Sequence, residues 1–185
     1  GGGGININPG SLVLQSSTMT GNSAGTNGGA VEAWFSNVGV IDSRIERNTA
    51  GGAGGGASLR GAFFTQLTRV LIRGNDAAEA GGLYVWDGSD ITISDSWLDA
   101  NGSTGLAGGL GINTPSQVVV ESTTVSRNSA IAGGGIENLG TLTLQNVTIS
   151  ANYGLSGGGF SNSGTAMVLN SSIVGNVSRD PGAGI

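Results

Sequence analysis

The sequence predicts an all-β solenoid, a single-stranded parallel β-helix of about seven coils, and three observations lead to this fold class. Glycine accounts for 37 of the 185 residues, and it falls in clusters rather than at every third position, which excludes a collagen helix. An apolar residue followed three positions later by asparagine recurs every 24 to 27 residues. Between these asparagines apolar residues alternate with polar ones, which is the period of a strand, and no segment has a helical period.

The asparagine repeat defines the coil and the strands within it. Apolar residues stand eight residues before every asparagine, so each coil is expected to hold three short strands. One strand follows the glycines, a second ends near that apolar position, and a third ends just before the asparagine. Stacked coils place each asparagine over its equivalent, which predicts a structural ladder of side-chain amides. The ladder residues are Asn22, Asn48, Asn75, Asn101, Asn128, Asn152 and Asn176.

A glycine cluster follows each asparagine at one corner of the coil. Glycine permits positive φ angles and close approach between backbones, so we interpret the clusters as structural. Clusters also stand at 1–4 and at 182–184, at the two ends of the sequence. These positions predict a single solenoid domain over 1–185 that is an internal stretch of a longer protein, or a unit that associates end to end.

The composition excludes several kinds of chemistry. The chain has no cysteine or histidine, and its seven basic residues are all arginine. A disulfide framework, a Ser-His-Asp triad, an ordinary zinc site and a lysine Schiff base are therefore excluded. The net charge of −5 argues against nucleic-acid binding, and no apolar run could form a transmembrane helix. We expect no cofactor and no metal.

Together, the glycine and asparagine signatures resemble the GGA[ILV] and FxxN repeats of chlamydial polymorphic outer-membrane proteins. They are also similar to the wider family of secreted bacterial and archaeal right-handed β-helix repeat proteins. The glycine signature stands at 28–31, 133–136 and 157–160. Aliphatic residues or methionine replace the phenylalanine of FxxN, which favours the wider family. The resemblance covers essentially the whole chain and implies a right-handed helix, a secreted or cell-surface location and frequently adhesion.

Charged residues at two positions of the coil are the candidate catalytic groups. Asp42, Arg69 and Asp95 stand six residues before an asparagine, and Glu46, Arg73 and Asp99 stand two residues before one. We expect each arginine to lie between two acids, ~4.8 Å from the neighbouring coils. Such ladders stabilise a coil modestly, and this is the favoured interpretation. The alternative is a polysaccharide lyase or hydrolase that uses Asp42, Arg69, Asp95 and Asp99.

Three tryptophans are candidate binding residues for a protein or glycan partner on a lateral face. Trp97 stands at an outward-facing position, whereas Trp34 and Trp86 could instead fill corners or cover the core. Because regular side-chain ladders are the favoured interpretation of the charged positions, the leading hypothesis is a non-enzymatic scaffold or adhesin-like module for attachment or assembly.

Ice binding is a further alternative, because it needs a flat array of outward threonines. Thr18, Thr124 and Thr148 share the position of Trp97 in the coil. Arg44 and Leu71 also occupy this position and interrupt the array, which argues against ice binding.

Overall fold

The computed structural model describes residues 1–179, and the closing glycine cluster at 182–184 lies outside the described residues. Over residues 1–179 the secondary structure consists of strands and contains no helix, and the paired strands are parallel. Each coil contributes one strand to each of three seven-stranded sheets, so the chain forms a solenoid of seven coils. The all-β fold class and the number of coils are therefore confirmed.

The first sheet follows the glycine clusters. Its strands are Ile5–Ile7, Val31–Trp34, Ala57–Arg60, Leu83–Trp86, Leu110–Ile112, Ile136–Asn138 and Phe160–Asn162. The second sheet consists of Ser11–Gln15, Asn37–Ile41, Thr65–Thr68, Asp90–Ser94, Gln117–Glu121, Thr141–Gln145 and Thr165–Leu169. The third sheet consists of Thr18–Thr20, Arg44–Glu46, Leu71–Arg73, Trp97–Asp99, Thr124–Ser126, Thr148–Ser150 and Ser172–Val174.

A short fourth strand follows the asparagine in six of the described coils, in addition to the three strands per coil that the sequence predicted. Four of these strands form one sheet and two form another: Ser23–Ala24, Thr49–Ala50, Asp76–Ala77 and Gly102–Ser103, with Tyr153–Gly154 and Val177–Ser178. Each is two residues long, which is too short for an alternation of apolar and polar residues to show in the sequence.

Apolar side chains from all three main sheets fill the interior of the solenoid. Ile45, Ile72 and Leu98 stack on successive coils of the third sheet and are almost completely buried. Ile91 and Val118 form a similar stack in the second sheet. Because equivalent residues lie in register, each coil presents the same apolar shape to the next, and the core continues along the axis.

The predicted asparagine ladder is present and its hydrogen bonds are saturated. Asn101 Nδ2 donates to Asn128 Oδ1 at 3.0 Å and to the Ile72 carbonyl at 3.0 Å. Asn101 Oδ1 accepts hydrogen bonds from the backbone N–H and the side chain of Asn75, both at 3.0 Å. All four bonds of this buried amide are therefore made, so it incurs no penalty for an unpaired polar group.

Two bends border the third sheet, and both place non-glycine residues in the left-handed region. The bend before this sheet contains Ser16, Asp42, Arg69, Asp95, Ser122, Asn146 and Asn170, with φ between 45° and 55°. The bend after it contains Arg47, Ala100, Arg127 and Ala151, with φ between 52° and 55°. The third sheet therefore lies between two sharp corners that recur in every coil.

Candidate functional site

The first sheet carries a stack of three large side chains on its outer side. Trp34, Arg60 and Trp86 occupy one register position on successive coils. The guanidinium carbon of Arg60 lies 4.7 Å from the Trp34 ring centre and 4.6 Å from that of Trp86. Asp87 accepts a hydrogen bond from Arg60 Nε at 2.8 Å. Both indoles thus contact a cation of the protein itself, which leaves less ring surface for a ligand.

The indole N–H groups of this stack also have protein partners. Trp34 Nε1 donates to Glu32 Oε1 at 2.8 Å, and Trp86 Nε1 donates to Ser58 Oγ at 3.2 Å. Both tryptophans are half-buried. These contacts hold both indoles against the first sheet, on a different face from Trp97.

The third sheet brings together most of the other predicted site residues. Its outward side and its two bordering bends, which we call the third-sheet face, carry Asp42, Arg69, Asp95, Trp97 and Asp99. Asp42, Arg69 and Asp95 lie in the bend before the sheet, whereas Asp99 lies at the far end of a strand. The four candidate catalytic residues are therefore divided between the two edges of this face.

Asp42 and Arg69 form a two-pronged ion pair across adjacent coils. Arg69 Nε lies 2.6 Å from Asp42 Oδ1, and Arg69 Nη2 lies 2.9 Å from Asp42 Oδ2. The hydrogen bonds from Arg69 hold the pKa of Asp42 below its usual value. Asp95 forms no ion pair in the described part of the chain. Arg69 thus occupies the same bend position as Asp42 and Asp95 on the adjacent coils, as predicted, but its planar fork pairs with Asp42 rather than with both acids.

In the second charged ladder the ion pairs gather around Asp99. Asp99 Oδ2 lies 2.6 Å from Arg127 Nη2 and 3.4 Å from Arg73 Nε, and Asp99 Oδ1 accepts a hydrogen bond from Ser126 at 2.8 Å. Within residues 1–179, Glu46 is not ion-paired with Arg73. The register places Arg73 between Glu46 and Asp99, as predicted, but its ion pair is formed with Asp99. Asp99 has little access to solvent, and Arg73 and Arg127 together satisfy its charge.

A shallow cleft lies on the third-sheet face across coils two to four. Its volume is about 410 Å³, and it is lined by Asp42, Ser43, Arg44, Arg69, Leu71 and Trp97. Arg44, Leu71 and Trp97 occupy one register position on three successive coils. Trp97 is 53% exposed, so the prediction that it faces outward is confirmed. The cleft therefore combines the exposed indole of Trp97, the apolar side chain of Leu71 and the cation of Arg44.

Glu137 is a buried carboxyl group on the outer side of the first sheet, and the sequence analysis did not identify it. Glu137 is 6% exposed, and its Oε2 atom has no hydrogen-bond partner. Burial raises the pKa of Glu137, although hydrogen bonds with Ser161 and the Gly133 backbone oppose the shift. The protonated form of Glu137 is therefore favoured by its surroundings.

One family of proteins matches this chain. The model described as "Right handed beta helix region" matches residues 1–178, which is nearly the entire sequence. The chain belongs to the right-handed β-helix family. The handedness implied by the resemblance is thereby established. No curated protein and no solved structure matches the chain.

Over residues 1–179, no helix has the length and apolarity needed to cross a membrane. In the same residues, no three acidic side chains converge as they would around a metal ion.

Two arginines important for these surfaces were not singled out from the sequence. Arg60 stands in phase with Trp34 and Trp86 when residues are counted from the glycine cluster, but not when they are counted from the asparagine. Arg44 was noted only because it interrupts the threonines. That no carboxylate in residues 1–179 lies within 4.0 Å of Arg44 depends on contacts between coils, which the spacing along the chain does not show.

Proposed function

We propose that this β-helix is a non-enzymatic scaffold, secreted or exposed at a cell surface, that presents the third-sheet face to a protein or glycan partner. The observation that supports this proposal most directly is the cleft at Arg44, Leu71 and Trp97. An exposed aromatic ring and a cation on a rigid sheet are typical of binding surfaces.

The charges on the third-sheet face support binding over catalysis. A glycosidase keeps one carboxyl group protonated beside a second that is ionised. Asp42 is fully engaged by Arg69 and its pKa is lowered, so it is ionised at neutral pH. Asp99 is enclosed by Arg73, Arg127 and Ser126. These contacts favour the scaffold over a lyase or hydrolase.

Assays of surface binding and of polysaccharide cleavage distinguish a scaffold from an enzyme. Purified protein is incubated with a panel of plant, bacterial and animal polysaccharides, and released reducing ends and unsaturated products are measured. We expect retention on at least one polymer or cell surface, without any product. Release of product that disappears in the Asp42→Asn or Asp99→Asn variant would establish the enzyme instead.

The test of location uses the whole organism. Antibodies against the purified protein should label intact cells or the culture medium. Labelling only after the cells are broken open would contradict the proposed location.

A further inference from the structure

The arginines of this β-helix are concentrated on one face. Within residues 1–179, five of the seven arginines lie on the third-sheet face, together with four of the eleven acids. This face therefore has a formal charge of +1, whereas the remainder of these residues has a formal charge of −5. The five arginines are Arg44, Arg47, Arg69, Arg73 and Arg127. A locally positive surface on an acidic protein attracts anionic partners to that surface.

Three of these arginines already have a carboxylate partner, but Arg44 and Arg47 do not. Arg69 binds Asp42, and Arg73 and Arg127 share Asp99. No carboxylate lies within 4.0 Å of Arg44 or Arg47 in the described part of the chain. Arg44 lines the same cleft as Trp97, whereas Arg47 lines a separate cavity with Glu46, Arg73 and Gly74. Arg44 is thus the unpaired cation beside the exposed indole.

We propose that the cleft around Arg44, Leu71 and Trp97 binds an anionic glycan without cleaving it. The ring of one sugar packs on the exposed face of Trp97, and its carboxylate or sulfate group is held by the guanidinium of Arg44. The planar fork of arginine matches such groups geometrically. This inference rests on the proposed function of the third-sheet face and names the chemistry of its partner.

The backbone of this face favours a glycan over an extended acidic peptide. Strands Arg44–Glu46, Leu71–Arg73 and Trp97–Asp99 are each paired on both sides with the neighbouring coils. No free strand edge is therefore present at the cleft, and a peptide could not add as a further strand. Hydroxyl groups continue the row beyond Trp97, at Thr124 and Thr148. They provide donors and acceptors for sugar hydroxyls along the solenoid axis.

Binding of defined oligosaccharides to the purified protein tests the proposal. The probes are an oligouronate hexamer, a sulfated hexasaccharide and a neutral glucan hexamer, measured by isothermal titration calorimetry at low and physiological salt. We expect at least one anionic probe to bind, more weakly as salt rises, and the neutral glucan not to bind. Comparison of the two anionic probes shows whether carboxylate or sulfate is preferred.

The coil supplies conservative variants for this test. Arg44→Thr and Trp97→Thr each introduce the residue that occupies the same register position in other coils, at Thr18 and Thr124. Both side chains are exposed, so the melting temperature should hardly change. We expect each variant to weaken binding at least about tenfold, since a charge-assisted hydrogen bond or a stacked ring is lost.

Two further variants are controls for charge and for exposed aromatic surface. Arg47→Gly removes the other unpaired arginine, at a left-handed position where Gly21 and Gly74 are found in other coils. Tyr153→Ser removes an exposed ring from another surface and introduces the residue of Ser129. Each should change affinity by less than about twofold.

Several results would overturn the inference. Equal binding of the neutral glucan would remove the role of charge. Equal binding of a polyglutamate peptide or single-stranded DNA, or an equal loss in Arg47→Gly, would show general electrostatic attraction. Absence of binding to both anionic probes, without any product, would reject the anionic glycan while leaving the scaffold proposal intact. Cleavage of a probe would reject the scaffold proposal itself.

Discussion

Glycine occupies the corner two residues before the first-sheet strand in every coil, and contacts between coils explain why. The residues are Gly3, Gly29, Gly55, Gly81, Gly108, Gly134 and Gly158. A Cβ atom on Gly108 would lie 2.3 Å from the Gly134 carbonyl oxygen and 2.5 Å from the Ser129 nitrogen. Both are backbone atoms held by the stacking of coils, so they cannot move aside. The cluster is therefore required by close packing along the axis.

Gly108→Ala should destabilise the protein severely. Its methyl group would force the corners of two coils apart, at a cost of about 1–3 kcal/mol or more for overpacking. Gly25→Ala is the matched control, because nothing lies within 4 Å of a Cβ atom at Gly25. Urea unfolding should show a large loss of stability for Gly108→Ala and none for Gly25→Ala. Equal stability of the two variants would contradict the close packing described here.

Glu137 should make stability depend on pH. Because its folded-state pKa is raised by burial, the folded protein retains a proton that the unfolded chain loses at lower pH. The stabilisation is complete below the ordinary pKa of glutamate and is lost as pH rises through the raised folded-state pKa. Urea unfolding at pH 4, 5.5 and 7 should therefore show a decline in stability that Glu137→Gln reduces.

A control acid distinguishes this local effect from a change in net charge. Glu121→Gln removes one negative charge from the partly exposed end of a second-sheet strand. It should leave the pH dependence almost unchanged. If Glu121→Gln and Glu137→Gln flatten the profile equally, the burial of Glu137 is not the cause.

Among the structural elements, the asparagine ladder connects the coils most regularly. Asn48, Asn75, Asn101, Asn128 and Asn152 are all buried, and successive side chains are joined by hydrogen bonds of 3.0 Å. Each amide also binds backbone groups of adjacent coils. The ladder thus fixes the corner at which the third sheet ends.

Asn101→Ala should destabilise the fold by at least about 2 kcal/mol, since each buried group left without a partner costs about 1–3 kcal/mol. The Asn75 side chain, the Asn75 N–H and the Ile72 carbonyl would all lose a partner. Chemical unfolding monitored by circular dichroism measures the loss. Asn146→Ser is the control, because Asn146 is exposed and Ser122 occupies the same bend. A ladder that contributed nothing would give both variants the same midpoint.

The strands were predictable to different degrees, and the length of the coil explains the difference. From the first core residue of the second sheet to the asparagine, every coil has the same length, as in Leu12 to Asn22 and Leu142 to Asn152. The second and third sheets and Trp97 were therefore placed correctly. The variation in coil length falls in the connections on either side of the first sheet. Counting from the asparagine consequently misaligned Arg60 with its tryptophan neighbours.

The charge pairs were less predictable than the strands. Register showed that Asp42 and Arg69, or Arg73 and Asp99, are neighbours. It did not show which of two neighbouring acids forms the ion pair with an arginine. The pairing depends on side-chain rotamers and on the burial of Asp99, which the spacing along the sequence does not specify.

For the whole molecule, the solenoid architecture predicts that a complete coil can be removed. Residues 102–128 begin just after one ladder asparagine and end on the next, so their deletion joins Asn101 to Ser129 without a change of register. The shortened protein should retain its β-sheet circular dichroism and unfold at a lower temperature, because stability in a repeat protein sums over coils and interfaces.

Removal of half a coil is the control for that deletion. Deleting 102–114 eliminates a first-sheet strand but retains the strand Gln117–Glu121. The coil that contains Gln117–Glu121 would then lack one wall of the core, and the protein should aggregate or remain unfolded. If both deletions fold equally well, the coil is not the unit of stability.

The constant span between the second sheet and the asparagine also makes the outer positions of the third sheet interchangeable. Exchanging Trp97 with Thr124 would move the indole along the axis by one strand spacing, ~4.8 Å, with its orientation preserved. The outer positions of this sheet therefore form a regular row, one strand spacing apart, in which ligand-binding side chains can be rearranged while the backbone stays the same. A repertoire of ligand specificities could arise on it by point substitution alone.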